Sequence, residues 1–172
     1  MIVGDPPRDE QPSGMLPPDH PFLVSTARLR PQPAAVAILQ LDDGRYLLQH
    51  RDAIPQIFFP DHWGLFGGAM EEGETEIDGL LRELHEELAL VIPASLPRYF
   101  SRIDFDFTYC GLGKISRAFY EVTLPTKQLS ELRLGEGRAI GAFSAQALLA
   151  MPRITPYDAF ALWQHINRSR IG

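Results

Sequence analysis

The sequence predicts an α/β domain in which a mixed sheet lies between helices, and three features of this 172-residue chain favour that class. Apolar runs of strand length stand on both sides of one long amphipathic helical segment, and a second helical segment follows near the carboxyl end. The apolar fraction is 45%, which is typical of a soluble globule, and the length suffices for one buried core. We therefore expect a single α/β/α sandwich.

The amino-terminal residues are expected to differ from this domain. The opening MIVGDPPRDEQPSGMLPPDHP is rich in proline and charge and lacks apolar periodicity, a composition that is typical of disordered segments. We divide the chain into a Pro-rich arm, residues 1–24, and a folded domain, residues 25–172. Such an arm becomes ordered if its own domain or a neighbouring subunit holds it, so a homodimer is one expectation; Met15 offers an alternative start.

Two strands should open the domain. The run AAVAILQL at residues 34–41 is almost continuously apolar, as expected of a buried strand. Asp-Asp-Gly at residues 42–44 predicts a turn, and YLLQHR at residues 46–51 returns as a second strand. Residues 54–62 contain two prolines and two phenylalanines and are expected to form a loop that leads to a glycine pair.

The clearest helix follows that pair, within GGAMEEGETEIDGLLRELHEELAL at residues 67–90. Thr75 is the expected N-cap, and Pro93 and Pro97 mark the exit of the helix. An apolar stripe should pack on the core; its members are Ile77, Leu81, Leu84 and Leu88.

Three carboxylates share another face of this helix, because Glu83, Glu86 and Glu87 are spaced i, i+3, i+4. Like charges at this spacing destabilise a helix unless a cation lies among them, and we expect no cationic partner at helical spacing on the same helix. Glutamate oxygens on a rigid element are the ligands that Mg²⁺ prefers. This face predicts a metal site, with a solvated acidic surface as the alternative.

The carboxyl half should add three strands and two helices. RIDFDFTY at residues 102–109 alternates and predicts a half-buried strand, and residues 115–124 and 139–143 follow as strands. A short helix capped by Ser144 should reach residue 150, and a final helix should run from Thr155-Pro156 to about residue 168. The side chains expected to point inward are Ile103, Phe105, Phe107 and Tyr109 in the strand and Tyr157, Phe160, Ala161 and Ile166 in the last helix.

Composition excludes several functions. The net charge of −6 argues against a polymeric nucleic acid as partner, and an acidic protein that acts on phosphates needs metal ions or local arginines to offset repulsion. The single cysteine, Cys110, excludes an internal disulfide and suits a reducing cytoplasm. No apolar run reaches membrane-spanning length, so no membrane association is expected.

The spacing of charges around the helix resembles the Nudix box, G-x5-E-x7-R-E-U-x-E-E-x-G-U, where U is aliphatic. One position departs from the pattern: Ala89 stands where the box has its last glycine, at the helix end, where glycine often serves as a C-cap. The resemblance implies a MutT-like hydrolase with the α/β/α fold of that family. The matching charged and glycine positions are Gly68, Glu74, Arg82, Glu83, Glu86 and Glu87.

The family hydrolyses a diphosphate linkage in a nucleoside diphosphate that is joined to another group. The resemblance implies that Glu83, Glu86 and Glu87 act in catalysis by binding Mg²⁺, or Mn²⁺, together with the backbone carbonyl of Gly67. It implies a structural role for Gly68, Glu74 and Arg82, the last two as an ion pair. The expected ligand is a small nucleoside diphosphate derivative, with nucleoside triphosphates or nucleotide sugars favoured.

Outside the box, Glu136 in LGEGRAIGAF resembles the loop glutamate that MutT-like members use as a metal ligand or general base. An exposed loop glutamate without a role is the alternative, and Glu131 is the second candidate. Glu83 could instead be the base, since both arrangements occur in the family. Arg51 resembles an arginine that often contacts substrate phosphate, although a plain surface arginine is nearly as consistent with its position.

Two other functions stay open. The first is a Nudix-fold module or regulator that binds a nucleotide without cleaving it; loss of box glutamates would mark that class, and none is lost here. The second is an isomerase on the same fold, which would need an additional cysteine–glutamate site that the sequence does not support.

Overall fold

The computed structural model describes residues 2–4 and 16–171, and this part of the chain forms eight strands and four α-helices. The strands are β1 (Ile2–Val3), β2 (Ala34–Leu41), β3 (Tyr46–His50), β4 (Trp63–Gly64), β5 (Phe66–Ala69), β6 (Arg98–Asp106), β7 (Lys114–Leu124) and β8 (Ala139–Phe143). The helices are α1 (Pro21–Val24), α2 (Glu76–Leu88), α3 (Ala145–Ala150) and α4 (Pro156–Ile166).

All eight strands belong to one mixed sheet in the order β1-β8-β3-β2-β7-β6, with β4 added to β3 and β5 added to β2. The pairs β2–β7 and β1–β8 are parallel, and the other pairs are antiparallel. The predicted α/β/α sandwich is confirmed, because α2 packs on one face of this sheet while α3 and α4 pack on the other.

Strand β2 lies at the centre because almost every residue in it is apolar. Ala35, Ala37 and Leu39 face the core under α2, whereas Val36 and Ile38 face the core under α4, and all five are fully buried. A strand that is buried on both faces needs the near-continuous apolar run seen in the sequence. Strands β2 and β8 have the predicted bounds, and β3 ends one residue earlier than predicted.

Strand β6 begins four residues before the predicted start and ends three residues before the predicted end. It runs from Arg98 to Asp106, and residues 108–110 form a 3-10 turn in place of its predicted end. The Asp106 carboxylate accepts a hydrogen bond from the Thr108 N–H at 2.9 Å, a local contact that competes with strand pairing. Tyr109, predicted to be buried, is therefore 82% exposed on the β6–β7 hairpin.

The final helix begins at the predicted Pro156 but ends at Ile166, after which residues 168–170 form a 3-10 turn. Ala161 is buried as predicted, whereas Phe160 is half exposed and stacks on Trp163, so that assignment was wrong. The inward side chains lie three or four residues apart and include two polar ones that alternation of apolar residues could not reveal; they are Asp158, Ala161, Leu162 and His165.

The described parts of the arm contact their own domain. Ile2 pairs with Ile140 in β8, and the His20 side chain caps α1 by accepting from the Phe22 N–H at 3.1 Å. The Phe22 ring stacks on Phe59 in the predicted loop. Met15, the alternative start, lies outside the described residues. No helix in the described ranges is long and apolar enough to cross a membrane.

Candidate active site

Helix α2 is built as predicted at its amino end and closes at an unusual residue. The Thr75 hydroxyl accepts from the Asp78 N–H at 3.2 Å, which confirms the N-cap. At the other end Ala89 adopts a left-handed conformation, with φ 52°, and its N–H bonds to the His85 carbonyl. Ala89 thus takes the backbone conformation for which glycine is usually chosen, and the helix end keeps its shape.

The buried stripe of α2 is rotated relative to the prediction. Leu80, Leu84 and Leu88 have no exposed surface, whereas Leu81, the predicted member, is partly exposed. Adjacent helical residues lie roughly 100° apart, so choosing Leu80 turns the buried face toward Glu87. As a result the Glu87 side chain is only 6% exposed, and it faces the sheet rather than solvent.

Both oxygens of the Glu87 carboxylate accept hydrogen bonds from the sheet. The Gly67 N–H donates to Oε2 at 2.7 Å, and the Gln49 side-chain amide donates to Oε1 at 3.0 Å. Burial nevertheless dominates and raises the pKa of Glu87 to about 7, with the charges of Glu83 and Glu136 adding to the effect. A carboxylate in this setting is stabilised by any cation that reaches it.

The glycine pair brings the backbone of β5 against these carboxylates. Gly67 has φ 114°, and a Cβ there would overlap the Ala35 carbonyl of the neighbouring strand. A Cβ on Gly68 would lie 2.6 Å from Oε2 of Glu83. A larger residue at Gly67 would displace the neighbouring strand, and one at Gly68 would displace the Glu83 carboxylate. A structural role for Gly68 stays a prediction.

Arg82 holds the site together from the outer side. Its Nε donates to Glu74 Oε1 at 2.8 Å, which confirms the predicted ion pair, and Nη2 donates to the Ala69 carbonyl at 2.9 Å. Its Nη1 donates to Glu83 Oε1 at 2.8 Å and to Glu86 Oε2 at 3.1 Å. The expectation that the acidic face has no cationic partner on its own helix was wrong, because one guanidinium fork spans several acceptors.

The three box glutamates differ in environment. Burial raises the pKa of Glu83, and the Arg82 contact opposes that rise. The Glu86 side chain is half exposed. The acidic face is therefore graded from the buried Glu87, through the partly buried Glu83, to the solvated Glu86.

The Glu136 loop is fastened to the carboxyl end of α2. The Arg133 and Gly135 N–H groups donate to the Leu88 and Glu87 carbonyls at 2.9 and 2.8 Å. A Cβ on Gly135 would overlap the Glu86 carbonyl, so this close approach requires glycine. Burial is the main cause of the raised pKa of Glu83 and of Glu87, and the charge of Glu136 adds to both. The three carboxylates therefore lie close enough to interact electrostatically.

Two other predicted candidates form hydrogen bonds with residues outside this group. Arg51 donates from Nε to the Phe58 carbonyl at 3.1 Å, and its aliphatic part lies beside Gly64. Glu131 is an exposed residue that ends the 3-10 turn over residues 126–130. A role for Arg51 in contacting phosphate stays a prediction, as does the Gly67 carbonyl as a metal ligand.

Sequence reasoning missed Gln49, which is 4% exposed in β3 and touches both Glu87 and the Glu136 loop. The signal was present, since an amide inside an otherwise apolar strand needs a buried partner. What could not be read from the sequence was which residue that partner would be.

The site fits a hard divalent cation in its donor chemistry. Within the described ranges, no three carboxylate, imidazole or thiol side chains already lie close enough together to hold a metal ion. The donors that fit are the Glu83 and Glu87 carboxylates, whose oxygens are desolvated and whose pKa values are raised by burial. At Glu87 there is little positive charge to neutralise the carboxylate. Glu83, Glu86, Glu87 and Glu136 are the residues that could hold Mg²⁺ or Mn²⁺.

Comparison with known proteins agrees with this architecture. Residues 30–160 match the family model described as the NUDIX domain. No curated protein is significantly similar in sequence.

Several solved structures share the fold at low sequence identity. The MutT protein from Methanosarcina mazei Go1 is 17% identical with a TM-score of 0.64, over 86% of this chain and 99% of that one. The dihydroneopterin triphosphate pyrophosphohydrolase of E. coli is 19% identical with a TM-score of 0.61, over 81% and 99%. A bifunctional NMN adenylyltransferase/ADP ribose pyrophosphatase from Francisella tularensis, complexed with AMP and a manganese ion, is 18% identical with a TM-score of 0.59, over 83% and 42%.

Proposed function

Because the chain belongs to the Nudix (MutT-like) hydrolase family, we propose that it cleaves the diphosphate linkage of a nucleoside diphosphate derivative with the help of Mg²⁺ or Mn²⁺. The observation that carries the proposal is the buried Glu87 carboxylate beside Glu83. Burial raises the pKa of both groups, and Arg82 engages Glu83 but is not bonded to Glu87. Such a pair suits a site that binds cations and, through them, an anionic diphosphate.

A bound divalent ion would neutralise diphosphate charge, polarise the reacting phosphorus and acidify a water molecule. The chain's own residues prepare for this. Gly67 and Gln49 fix the Glu87 carboxylate through hydrogen bonds to both oxygens. Arg82 restrains Glu83 and Glu86 on the helix surface. Glu136 or Glu83 would accept the proton of the attacking water, and the choice between them stays open.

Nucleoside triphosphates and nucleotide sugars are the favoured substrates. The names of two structural neighbours add dihydroneopterin triphosphate and ADP-ribose to the compounds worth testing. The chain would be incubated with each class, and with dinucleoside polyphosphates, in Mg²⁺ or Mn²⁺, and the products would be separated by liquid chromatography. We expect cleavage inside the diphosphate of at least one class. Tight binding without cleavage of any of them would instead favour the non-catalytic nucleotide-binding module.

Glu136 is proposed as a member of the active site, on the support of the hydrogen bonds that fasten its loop to α2 and of its electrostatic effect on Glu83 and Glu87. Glu136→Gln keeps the shape and removes the charge, so we expect kcat to fall on the order of 10²-fold. Glu131→Gln is the matched control, since Glu131 is an exposed loop glutamate of the same region. Full activity of Glu136→Gln would remove Glu136 from the mechanism.

A further inference from the structure

We propose that Gln49 is a positioning residue, which orients the Glu87 carboxylate for metal binding and ties it to the Glu136 loop. The inference deepens the proposed function and rests on it. Gln49 has no place in the box, lies 38 residues from Glu87 and 87 residues from Glu136, and belongs to a strand rather than to the helix or the loop.

The geometry uses both hydrogens of the Gln49 amide. Nε2 donates to Glu87 Oε1 at 3.0 Å and to the Glu136 carbonyl at 3.2 Å. A side-chain amide offers two donors without charge, and here the two acceptors come from different elements. One neutral group thus connects the most buried box glutamate with the backbone of the residue proposed to act beside it.

The packing around Gln49 leaves its side chain little freedom. It is 4% exposed, and a Cβ on Gly137 would lie only 2.8 Å from its Cγ. Next to it the Arg138 N–H donates to the His50 carbonyl at 2.7 Å, so the loop is bonded to β3 through the backbone of His50 as well as through the Gln49 amide. A side chain packed in this way has already lost most of its conformational entropy on folding, so its donors keep one orientation.

The consequence falls on Glu87. With Oε2 held by the Gly67 N–H and Oε1 by Gln49, the carboxylate plane is fixed, while each oxygen keeps a second lone pair for a cation. Groups that orient a metal ligand in this manner commonly affect metal affinity or activity 10- to 100-fold. Lysine would also donate twice, but its charge would neutralise Glu87 and compete with the cation.

The test is Mn²⁺ binding by the full chain without substrate, measured by calorimetry for the wild type and for Gln49→Met. Methionine is close to glutamine in size and lacks both donors, so we expect Mn²⁺ to bind on the order of 10- to 100-fold more weakly. Gln40→Met is the matched control, because Gln40 lies in the adjacent β2 and its amide donates to the Gly44 carbonyl, away from the glutamates. Its Mn²⁺ affinity should equal that of the wild type.

A second background separates positioning from general damage. If Gln49 acts through Glu87, then Gln49→Met should cause little further loss of Mn²⁺ affinity in a chain that already carries Glu87→Gln. An equal loss in both backgrounds would overturn the proposal. If Gln49→Met does not fold, Gln49→Asn keeps the amide but is one methylene too short to reach both acceptors, and the same loss is expected.

The outcomes also distinguish the two proposals. A wild-type chain that binds no Mn²⁺ and cleaves no nucleotide would defeat the proposed function and this inference with it. A wild-type chain that binds and cleaves, with Gln49→Met within about twofold of it in affinity and kcat, would defeat only the role of Gln49.

Discussion

Neighbouring residues of the box carry charge in opposite environments. Glu87 is 6% exposed and has a pKa raised to about 7 by burial, whereas the adjacent Glu86 is half exposed and contacts Arg82. Both are proposed metal ligands, so Glu86→Gln and Glu87→Gln should each lower kcat on the order of 10²-fold. Steady-state kinetics at saturating Mg²⁺ would measure this, and near-wild-type turnover would remove the tested residue from the ligand set.

The two substitutions should differ in stability. In metal-free buffer at about pH 8, Glu87→Gln should raise the free energy of unfolding by about 1–2 kcal/mol, because a desolvated charge disappears at the expense of one hydrogen bond. Glu86→Gln should change it by less than about 0.5 kcal/mol, as expected of an exposed residue. Urea unfolding provides the measurement. If Glu87→Gln destabilised the protein more than Glu86→Gln does, burial of the charged Glu87 carboxylate would not be a cost to the fold.

Ala89 is the one residue of the box pattern that the chain has replaced, and it adopts φ 52°. A left-handed conformation costs an L-residue about 1–2 kcal/mol, and glycine avoids this cost. Part of the benefit is lost because glycine also has more conformational freedom in the unfolded state. Ala89→Gly should therefore stabilise the protein by about 0.5–1 kcal/mol, with kcat unchanged, as seen in thermal or urea unfolding. An unchanged or lower stability would show that the helix end relaxes around alanine.

The elements show where sequence reasoning succeeded and where it stopped. The bounds of β2 and β8 and the caps Thr75 and Ser144 follow from local signals, and the structure has them. The rotation of α2 about its axis does not follow from local signals. Leu80 and Leu81 are both leucines, and only contact with the sheet determines which of them is buried. The choice matters, since it determines whether Glu87 faces solvent or the sheet.

The site divides in the same way. The three box glutamates, the glycine pair and the Glu74–Arg82 ion pair are encoded by fixed spacing between residues 67 and 87 and could be predicted. The contacts of Gln49 and the fastening of the Glu136 loop join residues far apart in the chain, so the spacing of residues carries no record of them. Only the fold brings these partners together.

Helix α4 is joined to the sheet by a titratable residue. His165 is 2% exposed. Its Nδ1 forms a hydrogen bond with Tyr46 Oη at 3.0 Å, and its Nε2 lies 2.8 Å from Glu121 Oε1. Burial lowers the pKa of His165 below its ordinary 6.5, the Arg168 charge adds to this, and Glu121 opposes it. The unfolded chain therefore binds the proton more readily, and this contribution to stability is present above pH 6.5 and is lost as the pH falls toward the folded pKa.

We accordingly expect His165→Gln to reduce the acid sensitivity of the fold. At about pH 7.5 the variant should be less stable than the wild type, because buried hydrogen bonds are lost, and the difference should shrink by about pH 5.5. A constant difference across this range would mean that His165 does not titrate differently in the two states.

At the scale of the whole molecule, the sandwich supports a cluster of carboxylates that its own charges neutralise only in part. The protein carries a net charge of −6, and α2 is pressed onto the sheet by fully buried leucines, so Glu87 cannot turn away to solvent without unpacking that helix. The unfolded chain has no such site. A divalent cation that binds the folded state alone must then stabilise it.

The expected result is a rise in melting temperature with Mg²⁺ or Mn²⁺. At 100 times the dissociation constant the stabilisation is about 2.7 kcal/mol, which for a chain of this size corresponds to a shift of roughly 5–10 °C. NaCl at equal ionic strength controls for screening, and Glu87→Gln should show a much smaller shift. Activity should vanish in chelator and return with added metal. Turnover that persists in chelator, or an equal shift in Glu87→Gln, would contradict a cation site built on α2.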